Sequence, residues 1–295
     1  MTPDILLRIA RLARDTAEDA LPPYSHPKSP HTFTQPQLMA CLVLRAATAT
    51  TYRGLVEVLA VSPPLLAALG LRRLPHYSTL KRFADRAASE EAVAAMLAAL
   101  LARVWRADRP PGGALGDGPV EIALDSTGLE TTSASAHYLT RAGKTRSRYV
   151  KASVAVVCGA LVCCGLVMDW GPSNDKRQAA ALIDRAEAAR RAAGVPVGRV
   201  LADAGYDGEW VHARLREEWG VGSAIGLAVR RQDGSVGGRY RSEMDPRPAG
   251  YGRRWHVESF LSGLKRTTGS ALRARGERAL FAEASLRVLA YSVRR

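Results

Sequence analysis

The reading of this 295-residue chain turns on Tyr251-Gly-Arg-Arg-Trp-His-Val-Glu-Ser-Phe-Leu-Ser-Gly-Leu-Lys265. Counted from Tyr251, residues Arg254, Glu258 and Lys265 stand at offsets 3, 7 and 14. At about 100° per residue these fall at about 300°, 340° and 320°, so four polar side chains share one stripe of a helix. Val257, Phe260, Leu261 and Leu264 form the apolar face that seats the helix on a core. Arg254 and Glu258 alone are an ordinary i, i+4 pair, worth a few tenths of a kcal/mol. A single carboxylate set among cations is nevertheless an odd solvated surface. It suits a metal-binding acid flanked by groups that hold phosphate.

Two upstream segments supply matching acids. Val120-Glu-Ile-Ala-Leu-Asp-Ser-Thr127 reads as a short apolar strand ending in Asp125, and Val197 to Ala202 as another ending in Asp203. Each acid alone reads as a turn residue at a strand end, with Gly205 supplying the second bend. Between them, residues 152–168 carry no charge. Cys158-Gly159-Ala160, flanked by β-branched residues, makes this run a hairpin of buried strands rather than a membrane span. Residues 176–193 read as a helix, 208–219 as another and 221–229 as a strand. Asp175 reads as the cap of the helix that follows it, and Asp207 as a cap or a supporting partner.

The pattern Tyr-(2)-Arg-(3)-Glu-(6)-Lys, with Leu-Asp-Ser-Thr and Ala-Asp-Ala-Gly-Tyr-Asp upstream, resembles the DDE insertion-sequence transposases. The resemblance is to the broad group that includes the insertion-sequence families numbered four and five. It implies an α/β, ribonuclease H-like catalytic domain: a mixed five-stranded sheet flanked by helices, its first and fourth strands adjacent at the centre. It further implies that Asp125, Asp203 and Glu258 are the catalytic acids and ligands of two Mg²⁺ ions, with Mn²⁺ as a substitute. Tyr251, Arg254 and Lys265 would contact DNA. Three converging carboxylates repel one another without a cation, and hard oxygen donors select such metals. Only 54 residues separate Asp203 from Glu258, too few for the large β-rich insertion some members carry. Arg230, Arg231, Arg239, Arg241 and Arg247 in the intervening loop are expected to share its DNA-holding work.

Composition agrees with a polyanionic partner. The chain carries 42 Lys and Arg against 28 Asp and Glu, a net charge of +14. Residues 251–295 alone hold ten basic residues and three glutamates. Cys41, Cys158, Cys163 and Cys164 lack metal-ligand spacing and read as reduced core residues. The start of the chain shows no signal peptide, so a cytoplasmic, nucleoid-associated protein is expected. There is no P-loop and no nucleophilic serine with a matching His and acid.

Residues 4–20 read as a helix and 21–33 as a Pro- and His-rich linker, and residues 34–106 read as short helices broken by Ser62-Pro63-Pro64, Gly70 and Leu74-Pro75. That suits a helix-turn-helix-like DNA-binding domain over 1–108, joined through a Gly- and Pro-rich loop to a catalytic domain over 119–295. His76 to Phe83 is the expected recognition helix, with Lys81, Arg82 and Arg86 on its exposed side. The resemblance thus implies binding of the terminal inverted repeats of an element, cleavage of its ends and joining of the 3′-OH to target DNA. It also implies double-stranded DNA as the partner and a homodimer in the complex, with no membrane expected to be involved. Two alternatives keep part of this reading: a metal-dependent nuclease without strand transfer, and a DNA-binding protein descended from a transposase.

Overall fold

In the computed structural model, residues 4–28, 31–107, 118–131, 148–228, 233–245 and 248–295 are described. Six helices come first: α1 Ile5–Ala20, α2 Gln35–Ala47, α3 Tyr52–Ala60, α4 Pro63–Ala68, α5 Tyr77–Ala87 and α6 Glu90–Ala107. Their starts follow the sequence closely. Thr34 and Gln37 form a reciprocal capping box at α2, Thr51 caps α3, and prolines open α2 and α4.

The sheet follows: β1 Val120–Thr131, β2 Tyr149–Val157, β3 Val162–Gly171, β4 Val197–Ala202 and β5 Gly222–Ile225. Their order is β3-β2-β1-β4-β5. β2 lies antiparallel to β1 and β3, whereas β4 runs parallel to β1 and to β5. The uncharged run 152–168 is therefore a hairpin, as its composition suggests. Among the described residues no helix is long and apolar enough to cross a membrane. A sixth strand, β6 Ala271–Leu272, pairs with the far end of β1, so the sheet exceeds the expected five strands. Among the described residues the remaining α-helices are α7 Lys176–Ala193, α8 Glu209–Ala213, α9 Arg239–Ser242, α10 Trp255–Thr268 and α11 Glu277–Arg294.

Each face of the sheet is covered. One side buries Ile122, Leu124, Val200 and Ala202 against Leu182, Ile183 and Ala186 of α7. The other buries Ala123, Leu129, Val154 and Leu201 against Val257 and Phe260 of α10 and Leu289 of α11. The same apolar core continues into Ile9, Leu42 and Leu97, so the amino-terminal helices are built onto the sheet. The loop expected to divide the chain, residues 109–119, lies outside the described residues except for Gly118 and Pro119.

Two elements differ from their sequence reading. β1 does not end at Asp125; it runs six residues further, to Thr131. It is held there by pairing with β2 out to Leu129↔Val150 and with β6 at Glu130 and Thr131. The strand near 221–229 is also shorter, covering only Gly222–Ile225.

Candidate active site

Alternation along β1 decides which side chains meet. Asp125 has the parity of Ala123 and Leu129, hence faces the side covered by α10. The parallel register with β4 reads Ala123↔Leu201 and Leu124↔Ala202. One step further, Asp125 comes opposite Asp203. The Asp203 carboxylate accepts the Gly205 N–H at 2.9 Å and thereby caps a single turn over Ala204–Tyr206. Asp125 accepts the N–H of Ser126 at 2.8 Å. Burial, aided by the charges of Asp203 and Asp175, pushes the Asp125 carboxyl up to about 6, although Ser126 and Arg254 favour its charged form.

Glu258 projects from the first turn of α10 and is exposed. Arg254 joins it to the strand acids: its guanidinium pairs with Glu258 and reaches Asp125 Oδ2 at 3.5 Å. The seating of α10 follows the sequence, with Val257, Phe260, Leu261 and Leu264 buried. The continuous helical stripe from Tyr251 does not. Tyr251–Arg254 is a 3₁₀ turn, and α10 begins only at Trp255. Because residues i and i+3 eclipse in a 3₁₀ turn, Tyr251 still sits beside Arg254, whose guanidinium lies 6.0 Å from the tyrosine ring centre. The Tyr251 hydroxyl lies against Gly226, at the end of β5, where a Cβ would stand only 2.8 Å from it. Lys265 is half-buried, three turns along α10. His256 stacks on Trp255 and bonds through Nδ1 to the Arg253 carbonyl at 2.7 Å.

Asp175 is not the cap its sequence context suggests. Its side chain makes no capping bond to α7. It accepts the Ser126 hydroxyl at 2.5 Å and pairs with Lys151 at 2.8 Å. The Lys151 ammonium is almost fully buried and donates also to the Ser173 carbonyl at 2.6 Å. A carboxylate from a loop thus joins the two strand acids, and only its opposite charge 24 residues upstream explains why. Tyr206 is fully buried beneath the same group. Burial, and then the charges of Asp175, Asp125 and Asp203, hold its phenol well above the ordinary tyrosine range, so it remains protonated.

Arg241 also departs from expectation. It does not face outward toward DNA but grips the buried Asp207 with two bonds of 2.7 Å. Asp207 also accepts the Ala228 N–H at 2.9 Å, and Glu209 accepts the N–H groups of Tyr240 and Arg241. The segment around α9 is thereby fastened to the end of the sheet. Arg239 is exposed over the Tyr240 ring, while Arg230, Arg231 and Arg247 lie outside the described residues.

In the helical part, the His76 ring caps α5, which buries Leu80, Phe83 and Ala84. Lys81, Arg82 and Arg86 are exposed on the other side. Lys81 pairs with Asp85 at 2.5 Å. Arg82 borders an open cavity of about 370 Å³, which Arg86 and Phe33 also line.

A family model described as a transposase DDE domain matches residues 116–293. The chain belongs to that family. No curated protein and no solved structure matches it. The mixed sheet flanked by helices is consistent with a ribonuclease H-like DDE domain, and the family makes the chain a transposase, an enzyme of nuclease type. Transposase DDE domains generally use divalent metals. Among the described residues no three His, Cys, Asp or Glu side chains stand at metal-ligating distance from a common point. The donor set nevertheless fits such an ion. Asp125 is desolvated beside two further carboxylates, all oxygen donors, and Arg254 holds the cationic position between Asp125 and Glu258.

Proposed function

We propose that this transposase serves an insertion sequence of the group containing families four and five. Its helical part, residues 1–108, binds the terminal inverted repeats. Its DDE domain, residues 119–295, cleaves the element ends and joins the freed 3′-OH to target DNA. Asp125, Asp203 and Glu258 would hold two Mg²⁺ ions, or Mn²⁺ in their place. When bound, such ions supply charge stabilisation to the entering and leaving oxygens of phosphoryl transfer.

The chain's own groups do the rest. Asp125 and Asp203 are held by the backbone N–H groups of Ser126 and Gly205, which fixes their orientation before DNA arrives. Arg254 exchanges its two carboxylates for a backbone phosphate, to which guanidinium binds through paired hydrogen bonds. Tyr251 and Lys265 hold neighbouring phosphates from the same side. Lys81 and Arg82 grip the duplex outside the cleaved position, positioning it without reading its bases. Cutting two ends together calls for a homodimer on DNA, and the site of action is the nucleoid.

One observation carries the reading: Asp125 and Asp203 each follow the last registered pair, Leu124↔Ala202, of two adjacent parallel strands, with Arg254 linking Asp125 to Glu258. The test uses duplexes bearing the element's ends. The protein should nick them in Mg²⁺ and join pre-cleaved ends to a plasmid. Asp125→Ala, Asp203→Ala and Glu258→Ala should each abolish both steps and leave end binding intact. Cleavage without joining would mark a nuclease, and end binding without either step a DNA-binding descendant.

A further inference from the structure

Asp175 touches both residues whose N–H groups hold the strand acids. Its Oδ1 accepts the hydroxyl of Ser126, and the Ser126 N–H binds Asp125 Oδ1. Its Oδ2 lies against Gly205, whose N–H binds Asp203 Oδ1. The fit at Gly205 is close: a Cβ there would stand 2.8 Å from Asp175 Oδ2 and 2.9 Å from Asp203 Oδ1. A carboxylate placed so near two others would be repelled from the group unless a cation balanced it. Lys151 is that cation, its side chain only 5% exposed and its ammonium fixed between Asp175 and the Ser173 carbonyl.

We propose that Asp175, locked by Lys151, is a positioning residue for the metal-binding acids, setting Asp125 through Ser126 and Asp203 through Gly205. A helix-capping role would need a bond to the first turn of α7, and there is none. A purely stabilising ion pair would not need contacts to both Ser126 and Gly205. Removing the charge of Asp175 leaves the Lys151 ammonium buried and unpaired, free to turn toward the remaining carboxylates. Lost orientation and a competing cation both weaken metal binding, and groups that orient ligands typically change metal affinity about 10–100-fold.

The inference rests on Asp125 and Asp203 as the reactive acids, so Asp125→Ala accompanies every measurement. Mn²⁺ binding to the full chain, with and without end duplex, is followed by loss of the free-ion electron paramagnetic resonance signal. Cleavage is titrated against Mg²⁺ alongside. Asp175→Asn should raise the Mn²⁺ concentration for half-saturation at least about tenfold and shift the Mg²⁺ dependence of cleavage in parallel. End-duplex binding should stay unchanged. Ser126→Ala, which keeps the ion pair, should give a smaller shift of the same sign, and Ser126→Thr should restore parental affinity. The double variant should bind Mn²⁺ no worse than Asp175→Asn alone, because both act through one contact. Unchanged Mn²⁺ binding in Asp175→Asn and Ser126→Ala would overturn the proposal. So would a loss of cleavage equal at every metal concentration, which marks a structural role. Should Asp175→Asn fail to fold, Ser126→Ala decides alone. If Asp125→Ala itself binds Mn²⁺ and cleaves normally, the reading of the active site fails instead.

Discussion

Gly205→Ala isolates the geometry of the acidic group from its chemistry. Gly205 does not adopt a positive φ, so alanine suits the backbone there and the whole effect is steric. The new Cβ would lie 2.8 Å from Asp175 Oδ2 and 2.9 Å from Asp203 Oδ1, against ordinary contact from 3.4 Å outward. Each carboxylate must therefore retreat by about half an ångström. Neither is free to do so. Asp203 is held by the Gly205 N–H, and Asp175 by Ser126 and Lys151. Overpacking typically costs about 1–3 kcal/mol, and the lower end applies because the crowded atoms are half-exposed side-chain tips. Alanine returns about 0.4–1 kcal/mol by restricting the unfolded chain. The net change, no more than about 0.6 kcal/mol, lowers Tm by at most about 2 °C.

The loss of activity should be far larger than that. A misplacement of about 1 Å in a catalytic arrangement can cost about a hundredfold, so half as much predicts a fall of at least about tenfold in the cleavage step. Single-turnover cleavage of a labelled end duplex measures that step, and a thermal melt of the same preparation measures the fold. A variant that melts within a few degrees of the parent yet cleaves at a small fraction of its rate fits the reasoning. Parental cleavage would refute it, because Asp175 and Asp203 would then not share the space beside Gly205.

Other expectations follow from the surrounding contacts. Burial alone would raise the Asp207 carboxyl, but the hydrogen bonds from Arg241 and Ala228 outweigh it and hold the group below its ordinary 3.8. A depressed carboxylate stabilises the fold above its unfolded pKa and loses that contribution as pH falls through the folded one. Asp207→Asn should thus cost about 3 kcal/mol at pH 7, the usual order for breaking a buried pair, and urea melts should show the gap closing below pH 3.8. A constant gap down to pH 2 would contradict the pairing. All four cysteines are buried and free, with burial pushing Cys41, Cys158 and Cys163 up to about 12. At pH 8 a thiol-specific reagent should label none until the chain unfolds, and one fast-reacting thiol would be inconsistent with this packing. Lys81→Ala with Arg82→Ala should weaken end binding and lower the salt slope of log K by about 2, at about 0.9 per phosphate contact. An unchanged slope would remove α5 from the interface.

How far the sequence could lead depended on how local each cause is. α7 spans the very residues its pattern marks, because a 3.6-residue rhythm is written within the segment. The acid at the end of β4 was legible for the same reason. The length of β1 was not: Asp125 reads as a turn residue at a strand end, and only pairing with β2 and β6 carries the strand on to Thr131. Helix α11 escaped notice because it is buried nearly all round, from Glu283 to Val293, and so has no polar face to give it a period. Its buried charged members, Glu283 and Arg287, pair with each other and serve the backbone of residues 269–274.

Charged residues were misread whenever their partner lay far along the chain. Pro172-Ser-Asn-Asp175 has the composition of a helix start, and Asn174 does bond the Lys176 N–H. Asp175 is drawn away instead by Lys151, a residue from another strand. Arg241 looked like a surface cation until Asp207, 34 residues earlier, was found buried against it. Local pattern therefore located the acids of the strands and of α10, whereas the ions that neutralise and orient them depend on topology. The order β3-β2-β1-β4-β5 brings Lys151 on β2 and Asp125 on β1 beside each other, with Asp203 just past the end of neighbouring β4. It follows that substitutions at Lys151 should disturb the site as surely as those at its acids, although nothing in the sequence around Lys151 marks it.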